Sequence, residues 1–141
     1  MKVLAYDPFV KETDMPVKIV DLDTLFKESD YITIHVPLTP ETKNLINKET
    51  ISKMKDSVII INAARGGIID EAALYEALTT GKVYAAGLDV FEVEPPTDEL
   101  RQKLLSLPNV VATPHVGAST FEAQERVGML LVERLIAEIT K

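Results

Sequence analysis

The chain of 141 residues contains no cysteine and only two histidines. The absence of cysteine excludes disulfides, thiol nucleophiles and thiolate metal sites together, and it fits a reducing compartment. Two histidines cannot by themselves build a zinc site, so we expect no metal site. These absences favour a cytoplasmic protein.

Positive charge is also scarce, with 15 Lys and Arg against 22 Asp and Glu and a formal net charge of −7. No local basic patch interrupts this balance, so we expect neither a nucleic-acid partner nor a membrane-surface partner. The longest apolar runs, such as Val58–Ile61 and Met129–Val132, are far shorter than the roughly 20 residues of a membrane helix. Met1 is followed directly by a strand pattern, so no signal peptide is expected.

Short β-branched runs alternate with helical stretches, which predicts an α/β fold with a parallel sheet covered on both faces. The length and the 46% hydrophobic content predict a single domain over residues 1–141. The predicted architecture is a doubly wound, three-layer sandwich. Its five strands are predicted at Lys2–Tyr6, Tyr31–Val36, Val58–Asn62, Ala85–Val90 and Val110–Thr113.

Residues that commonly cap the N-termini of helices lie between these strands. Gly81 marks the end of one helix, and Ser119 with Glu122 forms a predicted capping box before the last one. The caps and helices predicted are Asp21 before Leu22–Glu28, Asn47 before Lys48–Met54, Asp70 before Glu71–Leu78, and Thr97 before Asp98–Ser106.

The last helix is apolar on nearly every face over Val127–Val132. This pattern is typical of a helix that packs inward, but it also fits a helix that packs against a partner. The second interpretation predicts a homodimer that forms through the last helix.

Ligands of open parallel sheets bind at the carboxyl ends of the strands, so the residues that follow each strand are informative. Asp7, after the first predicted strand, is placed to accept hydrogen bonds from a ribose diol, although Asp7-Pro8 is also ordinary turn chemistry. His35, at the end of the second, is interpreted as a partly buried strand histidine.

The third predicted strand ends at Asn62 and is followed by Ala63-Ala64-Arg65-Gly66-Gly67. Small residues allow a flat ligand to approach the backbone, and an arginine at a strand end can bind a carboxylate with two hydrogen bonds. Pairing of Arg65 with Asp70 is the alternative interpretation.

Asp89 lies within an otherwise apolar strand, where an unpaired carboxylate is costly, so we expect it to have a hydrogen-bond partner. His115 follows the fifth predicted strand, and Glu94 lies in the preceding loop. A carboxylate beside an imidazole orients the ring, which suits a group that takes and returns a proton.

These segments together resemble the D-isomer-specific 2-hydroxyacid dehydrogenases, and most closely the D-3-phosphoglycerate dehydrogenase branch. The resemblance implies an NAD-dependent oxidoreductase in which Arg65 binds the substrate carboxylate, His115 is the general acid and base, and Glu94 supports the histidine. It also implies that Asp7 binds the adenosine ribose. The other residues implied to line NAD are Val36, Pro37, Ala63, Ala64, Asp89 and Gly117. The motifs that carry the resemblance are Tyr6-Asp7-Pro8, residues 35–42, residues 62–71, Leu88–Phe91 with Glu94-Pro95-Pro96, and residues 114–120.

The chain departs from the family because its six glycines contain no Gly-x-Gly-x-x-Gly spacing. We therefore expect a truncated nucleotide-binding domain without a substrate domain. Loss of the central strand of the order 3-2-1-4-5-6 predicts a closed sheet with the flavodoxin-like order 2-1-3-4-5. The pyrophosphate turn and the substrate domain hold the cofactor and the substrate in reaction geometry in this family. Because the chain has neither, we expect it alone to be a folded scaffold that binds NAD weakly or not at all and has no activity.

Other functions of the flavodoxin-like topology are a residual nucleotide-binding module, a phosphate-accepting receiver and a flavin carrier. A receiver needs an aspartate where the third predicted strand ends in Asn62. A flavin carrier needs a phosphate-binding loop where the chain has Asp7-Pro8-Phe9. Asn62 therefore argues against a receiver, and Asp7-Pro8-Phe9 argues against a flavin carrier.

Overall fold

A computed structural model describes residues 1–140 as an α/β protein whose strands are all parallel. The α/β class and the parallel strands confirm the sequence-based expectation. The strands are β1 (Leu4–Ala5), β2 (Lys18–Ile19), β3 (Tyr31–Ile34), β4 (Val58–Asn62), β5 (Val83–Leu88) and β6 (Val110–Ala112). The helices are α1 (Leu22–Glu28), α2 (Lys48–Lys53), α3 (Glu71–Thr80), α4 (Glu99–Leu105) and α5 (Phe121–Ile139).

The strands form two sheets and not one, so the predicted five-stranded order 2-1-3-4-5 is wrong. One sheet has the order β3-β4-β5-β6, and β1 pairs only with β2. The N–H groups of Lys18 and Val20 donate to the carbonyl oxygens of Val3 and Ala5 at 3.1 and 2.9 Å. The sequence predicts no strand in this segment, because two paired residues leave almost no periodic signal.

The gap between the two sheets does not close in the predicted way. A cavity of about 680 Å³ is lined by Leu4 of β1 and by Tyr31 and Thr33 of β3. Paired strands lie about 4.8 Å apart, and no pairing joins β1 to β3 among residues 1–140. The edge of β1 that faces away from β2 therefore stays without a strand partner in the described residues.

Helices α1 to α4 form one continuous layer over the four-stranded sheet. Alternate strand residues that face this layer, such as Ile32 and Ile60, are buried, whereas their neighbours on the other face are exposed. The exposed fractions are 64% for Tyr31, 38% for Ile61 and 71% for Val111. The predicted three-layer sandwich is therefore wrong for residues 1–140, where this sheet and its helices make two layers.

The core lies between the sheet and these four helices. Its largest fully buried side chains come from helices α1, α3 and α4, from strands β4 and β5, and from the loops before α2 and α3, and α2 adds Ile51. These largest side chains are Phe26, Ile46, Ile60, Ile68, Leu74, Leu104, Val58 and Val83.

Helix caps explain where most helices begin. The side chains of Asp21, Asn47 and Asp70 accept backbone N–H groups at the starts of α1, α2 and α3, as predicted. Gly81 ends α3 with a φ of +80°, also as predicted. The cap of α4 is Asp98 and not Thr97, because the carboxylate of Asp98 reaches the N–H of Arg101.

Helix α5 differs from the other helices because none of its residues is buried. The expectation that it packs inward is therefore wrong, and its packing against a partner stays a prediction. Its cap is Thr120 and not Ser119, since the Thr120 hydroxyl accepts the N–H of Ala123 at 3.1 Å. No helix among residues 1–140 has the length and apolar character that a bilayer crossing requires.

Candidate active site

The carboxyl ends of β5 and β6 bring Glu94 and His115 together. The Nδ1 atom of His115 lies 2.8 Å from Oε2 of Glu94, and both side chains remain partly accessible. The second carboxylate oxygen of Glu94 accepts the N–H of Phe91 at 2.9 Å. The contact anticipated from the sequence is present, and it leaves Nε2 of His115 without a hydrogen-bond partner in residues 1–140.

Glu94 is kept in its charged form by these contacts. The hydrogen bond from His115 and then the N–H of Phe91 lower the pKa of the Glu94 carboxyl below its ordinary value, against a smaller opposing effect of burial. A carboxylate at Nδ1 fixes the ring orientation and directs Nε2 away from the pair. The arrangement is suited to proton transfer at Nε2.

The backbone of His115 has a φ of +53°, in the left-handed region that side chains other than glycine rarely adopt. Such a conformation costs on the order of 1–3 kcal/mol and persists only where surrounding contacts impose it. Asp89 supplies those contacts, because its carboxylate accepts the N–H groups of Val116 and Gly117 at 2.9 and 3.1 Å and the hydroxyl of Thr113. Strained residues held in this way cluster at functional sites.

Asp89 therefore has the hydrogen-bond partners that its apolar strand required. Burial raises the pKa of its carboxyl, but the hydrogen bonds from Thr113, Val116 and Gly117 outweigh burial, and the pKa is lowered overall. Asp89 remains a charged anchor for the turn that presents His115.

A cavity of about 580 Å³ opens beside the pair of Glu94 and His115. Most of its wall is apolar, which is typical of ligand-binding sites. Its lining includes Asp89, Phe91, Pro95, Leu105, Thr113 and Pro114.

Arg65 follows β4 and is exposed, with Nη1 donating to the carbonyl oxygen of Ala64 at 2.7 Å. The alternative pairing with Asp70 is wrong, because the Asp70 carboxylate caps α3. In residues 1–140, Arg65 makes no ion pair with any carboxylate. Its guanidinium therefore keeps donors available for a ligand.

Gly66 explains how the Arg65 turn approaches the Glu94 loop. A Cβ atom on Gly66 would lie 1.9 Å from the carbonyl oxygen of Phe91, so only glycine fits. The two turns that present Arg65 and Glu94 are thus packed backbone to backbone.

The residues predicted to line NAD lie after five strands, β1, β3, β4, β5 and β6. The Oδ1 atom of Asp7 accepts the N–H groups of Phe9 and Val10, which is the turn role considered for it, and Oδ2 remains available. Val36 and Ala64 are half-buried, and Pro37 and Ala63 are exposed. Their contacts with NAD, like that of Gly117, stay predictions.

His35 does not behave as expected, since it is exposed beyond the end of β3 and its Nε2 contacts the Thr33 hydroxyl at 2.9 Å. Sequence analysis also missed Glu71 and Arg101, two charged residues buried in the layer of helices. No periodic signal identifies them, because Glu71 occupies the first turn of α3, where an acidic residue is ordinary. No group of three or more potential metal ligands occurs among residues 1–140.

Comparisons with known proteins agree with this geometry. Residues 1–117 match the sequence model described as "D-isomer specific 2-hydroxyacid dehydrogenase, NAD binding domain". The chain is 70% identical over 139 residues to a hydroxypyruvate reductase of Thermotoga maritima, covering 99% of this chain and 45% of the relative. It is 58% identical to a D-3-phosphoglycerate dehydrogenase of Archaeoglobus fulgidus, covering 96% of this chain and 26% of the relative.

Solved structures agree with the fold. A D-2-hydroxyisocaproate dehydrogenase matches 99% of this chain and 46% of its own length, with a TM-score of 0.88 and 34% identity. A D-lactate dehydrogenase from Aquifex aeolicus complexed with NAD and lactic acid matches 99% of this chain and 46% of its own length, with a TM-score of 0.82 and 40% identity. The chain thus spans less than half the length of these relatives, and it belongs to the D-isomer specific 2-hydroxyacid dehydrogenase family through its NAD binding domain.

Proposed function

We propose that the chain supplies the proton-transfer pair and the carboxylate-binding arginine for NAD-dependent interconversion of a D-2-hydroxy acid and its 2-keto acid. The observation that carries this proposal is the contact of Glu94 with His115 at the carboxyl edge of the sheet, with His115 held at a positive φ. A purely structural histidine does not need a strained backbone and a charged neighbour together.

The proposed reaction needs one proton and one hydride to move. Bound NAD would supply the acceptor for the hydride of the hydroxyl-bearing carbon. His115 removes the hydroxyl proton through Nε2 and returns it to the keto oxygen in the reverse direction. Glu94 stays charged throughout, which balances the imidazolium. Arg65 orients the substrate by binding its carboxylate.

The described residues fit two parts of NAD. Asp7 keeps one carboxylate oxygen available after β1 for a ribose diol, and the small side chains of Ala63 and Ala64 leave the backbone after β4 open to a flat ring. The pyrophosphate has no glycine-rich turn in this sequence. This chain alone is therefore proposed to be a folded scaffold with weak nucleotide binding and no turnover.

The substrate class follows from Arg65 and from the relatives. The guanidinium selects a carboxylate, and the relatives act, by their names, on hydroxypyruvate and D-3-phosphoglycerate. Small 2-hydroxy acids and their keto forms are thus the substrates to test first.

NADH titration followed by backbone amide shifts tests the proposal. Saturable shifts confined to the residues around Asp7, Ala63 and Asp89 are expected, and Asp7→Asn should weaken them while the exposed control Asp56→Asn leaves them unchanged. A dispersed spectrum without shifts at millimolar NADH would remove nucleotide recognition from the proposal. Hydroxypyruvate-dependent NADH oxidation by the chain would contradict the absence of turnover.

A second proposal concerns a homodimer through α5. The helix carries exposed apolar residues at heptad spacing, including Val132, Leu135 and Ile139. Sedimentation over a range of concentrations should show dimerisation that Leu135→Glu abolishes. A monomer at every concentration would refute it. Cytoplasmic location stays a prediction.

A further inference from the structure

Two charged side chains are buried beside the loop that presents Glu94. Glu71, in the first turn of α3, and Arg101, in α4, are exposed by only 6% and 8%. Their nearest atoms, Oε2 of Glu71 and Nε of Arg101, approach to 2.7 Å as an ion pair, outside the angles of a hydrogen bond. Neither residue belongs to the site described above.

Both residues bind the segment that leads from Phe91 to Glu94. The Oε1 atom of Glu71 accepts the backbone N–H of Glu92 at 2.7 Å. Arg101 contacts the carboxylate of Glu92 at 3.3 Å and that of Asp98 at 2.7 Å. The backbone and the side chain of Glu92 are therefore both tied to this buried pair.

The neighbours of Glu92 are the residues that build the candidate active site. Phe91 donates its N–H to Glu94, and its carbonyl oxygen lies against Gly66. Any shift of Glu92 must move the Phe91 N–H, which orients the Glu94 carboxylate toward His115. Three hydrogen bonds thus connect the buried pair to the histidine, from Glu71 to the Glu92 N–H, from the Phe91 N–H to Glu94, and from Glu94 to His115.

Stability alone does not account for a buried ion pair at this place. Burying charges is costly, and well-packed apolar residues often stabilise a protein as well or better. Burial raises the pKa of Glu71, against the N–H of Glu92 and the charge of Arg101. The buried pair therefore lowers the stability that an apolar pair would give, but it fixes the position of the loop through directional contacts.

We infer that Glu71 and Arg101 are positioning residues that hold the Glu92 backbone so that Glu94 stays oriented on His115. The catalytic consequence rests on the proposed function, but the positioning itself does not, because it concerns contacts within this chain. Loss of either side chain should loosen residues 91–94 and weaken the two hydrogen bonds of the Glu94 carboxylate.

The test measures the pKa of Glu94 by carboxyl carbon NMR in the unliganded chain. We compare Glu71→Ala, Glu71→Gln and Arg101→Met with Glu76→Gln, which removes an exposed charge from the same helix. In Glu71→Ala and Arg101→Met, the Glu94 pKa should rise toward the ordinary value of about 4.3. Glu71→Gln keeps an acceptor for the Glu92 N–H, so the Glu94 pKa should rise less in this variant. In Glu76→Gln, the Glu94 pKa should not change.

The pKa of Asp56 provides the internal standard, since its carboxylate pairs with Lys82 and with no residue of the site. A role in general stability would leave the Glu94 pKa unchanged in every folded variant and would overturn the inference. If Glu71→Ala does not fold, Glu71→Gln and Arg101→Met decide the matter. Failure of all three to fold would show a purely structural role and would also overturn it. None of these results depends on NADH binding or turnover.

Discussion

Strands β4 and β1 are both apolar and parallel, yet their environments differ throughout. Each side of β4 pairs with a neighbouring strand, and Val58 and Ile60 are fully buried under the helices. Strand β1 pairs on one side only, with a strand of two residues, and Leu4 and Ala5 are half-buried. Strand sequence alone therefore does not make a core, because burial requires partners on both edges and a layer above.

Amide hydrogen exchange should show the largest difference between these regions. Amides of β4 and β5 should exchange only by global unfolding, which costs on the order of 5 kcal/mol or more. Amides of β1, and those of helix α5 at concentrations where the chain is monomeric, should exchange through local opening at little cost, because a lone helix is marginal in water. Equal protection of α5 and β4, measured by mass spectrometry after proteolysis, would contradict the comparison.

Truncation of one side chain in each region should give the next largest difference. Ile60→Ala should destabilise the protein by about 2–5 kcal/mol, since its side chain is fully buried in the core. Leu4→Ala should cost less than about 1 kcal/mol, because its side chain is already partly exposed. Urea unfolding measures both values, and similar losses would show that the two-stranded sheet folds as part of the core.

Two glycine substitutions should act in opposite directions. Gly66→Ala places a Cβ against the Phe91 carbonyl and should cost about 1–3 kcal/mol while separating the Arg65 and Glu94 turns. A Cβ atom at Gly128 would meet no neighbour within 4 Å. Gly128→Ala should therefore favour the helical state of α5 by up to about 1 kcal/mol and increase its helicity. Circular dichroism and urea unfolding report the two effects, and a neutral Gly66→Ala would refute the close approach.

The smallest expected effect is the pH dependence of stability from Asp89. Its pKa is lowered in the folded state, so its contribution is fully present above the ordinary value of 3.8 and is lost as pH falls through the lower folded value. Asp89→Asn should flatten the fall in stability below about pH 4. Unfolding midpoints measured between pH 3 and pH 7 test this, and an unchanged slope would refute the role of the carboxylate.

The candidate site was easier to predict than the sheet. Glu94 and His115 follow strands whose carboxyl ends meet at one edge, and this rule applies wherever parallel strands are recognised. The strand Lys18–Ile19 was missed because two residues show no periodicity. The buried pair of Glu71 and Arg101 was missed because a charge in a helix normally faces water, and only tertiary packing reveals the exception.

The sequence by itself determined the α/β class and the helix caps at Asp21, Asn47 and Asp70. It also determined the contact between Glu94 and His115. These features depend on local chemistry and on strand order at one edge, which neighbouring residues encode. Tertiary structure alone decided the division of the strands into two sheets, the exposure of one face of the four-stranded sheet, and the exposure of α5. Pairing and layering join residues far apart in the chain, and their free energy depends on which partners are present.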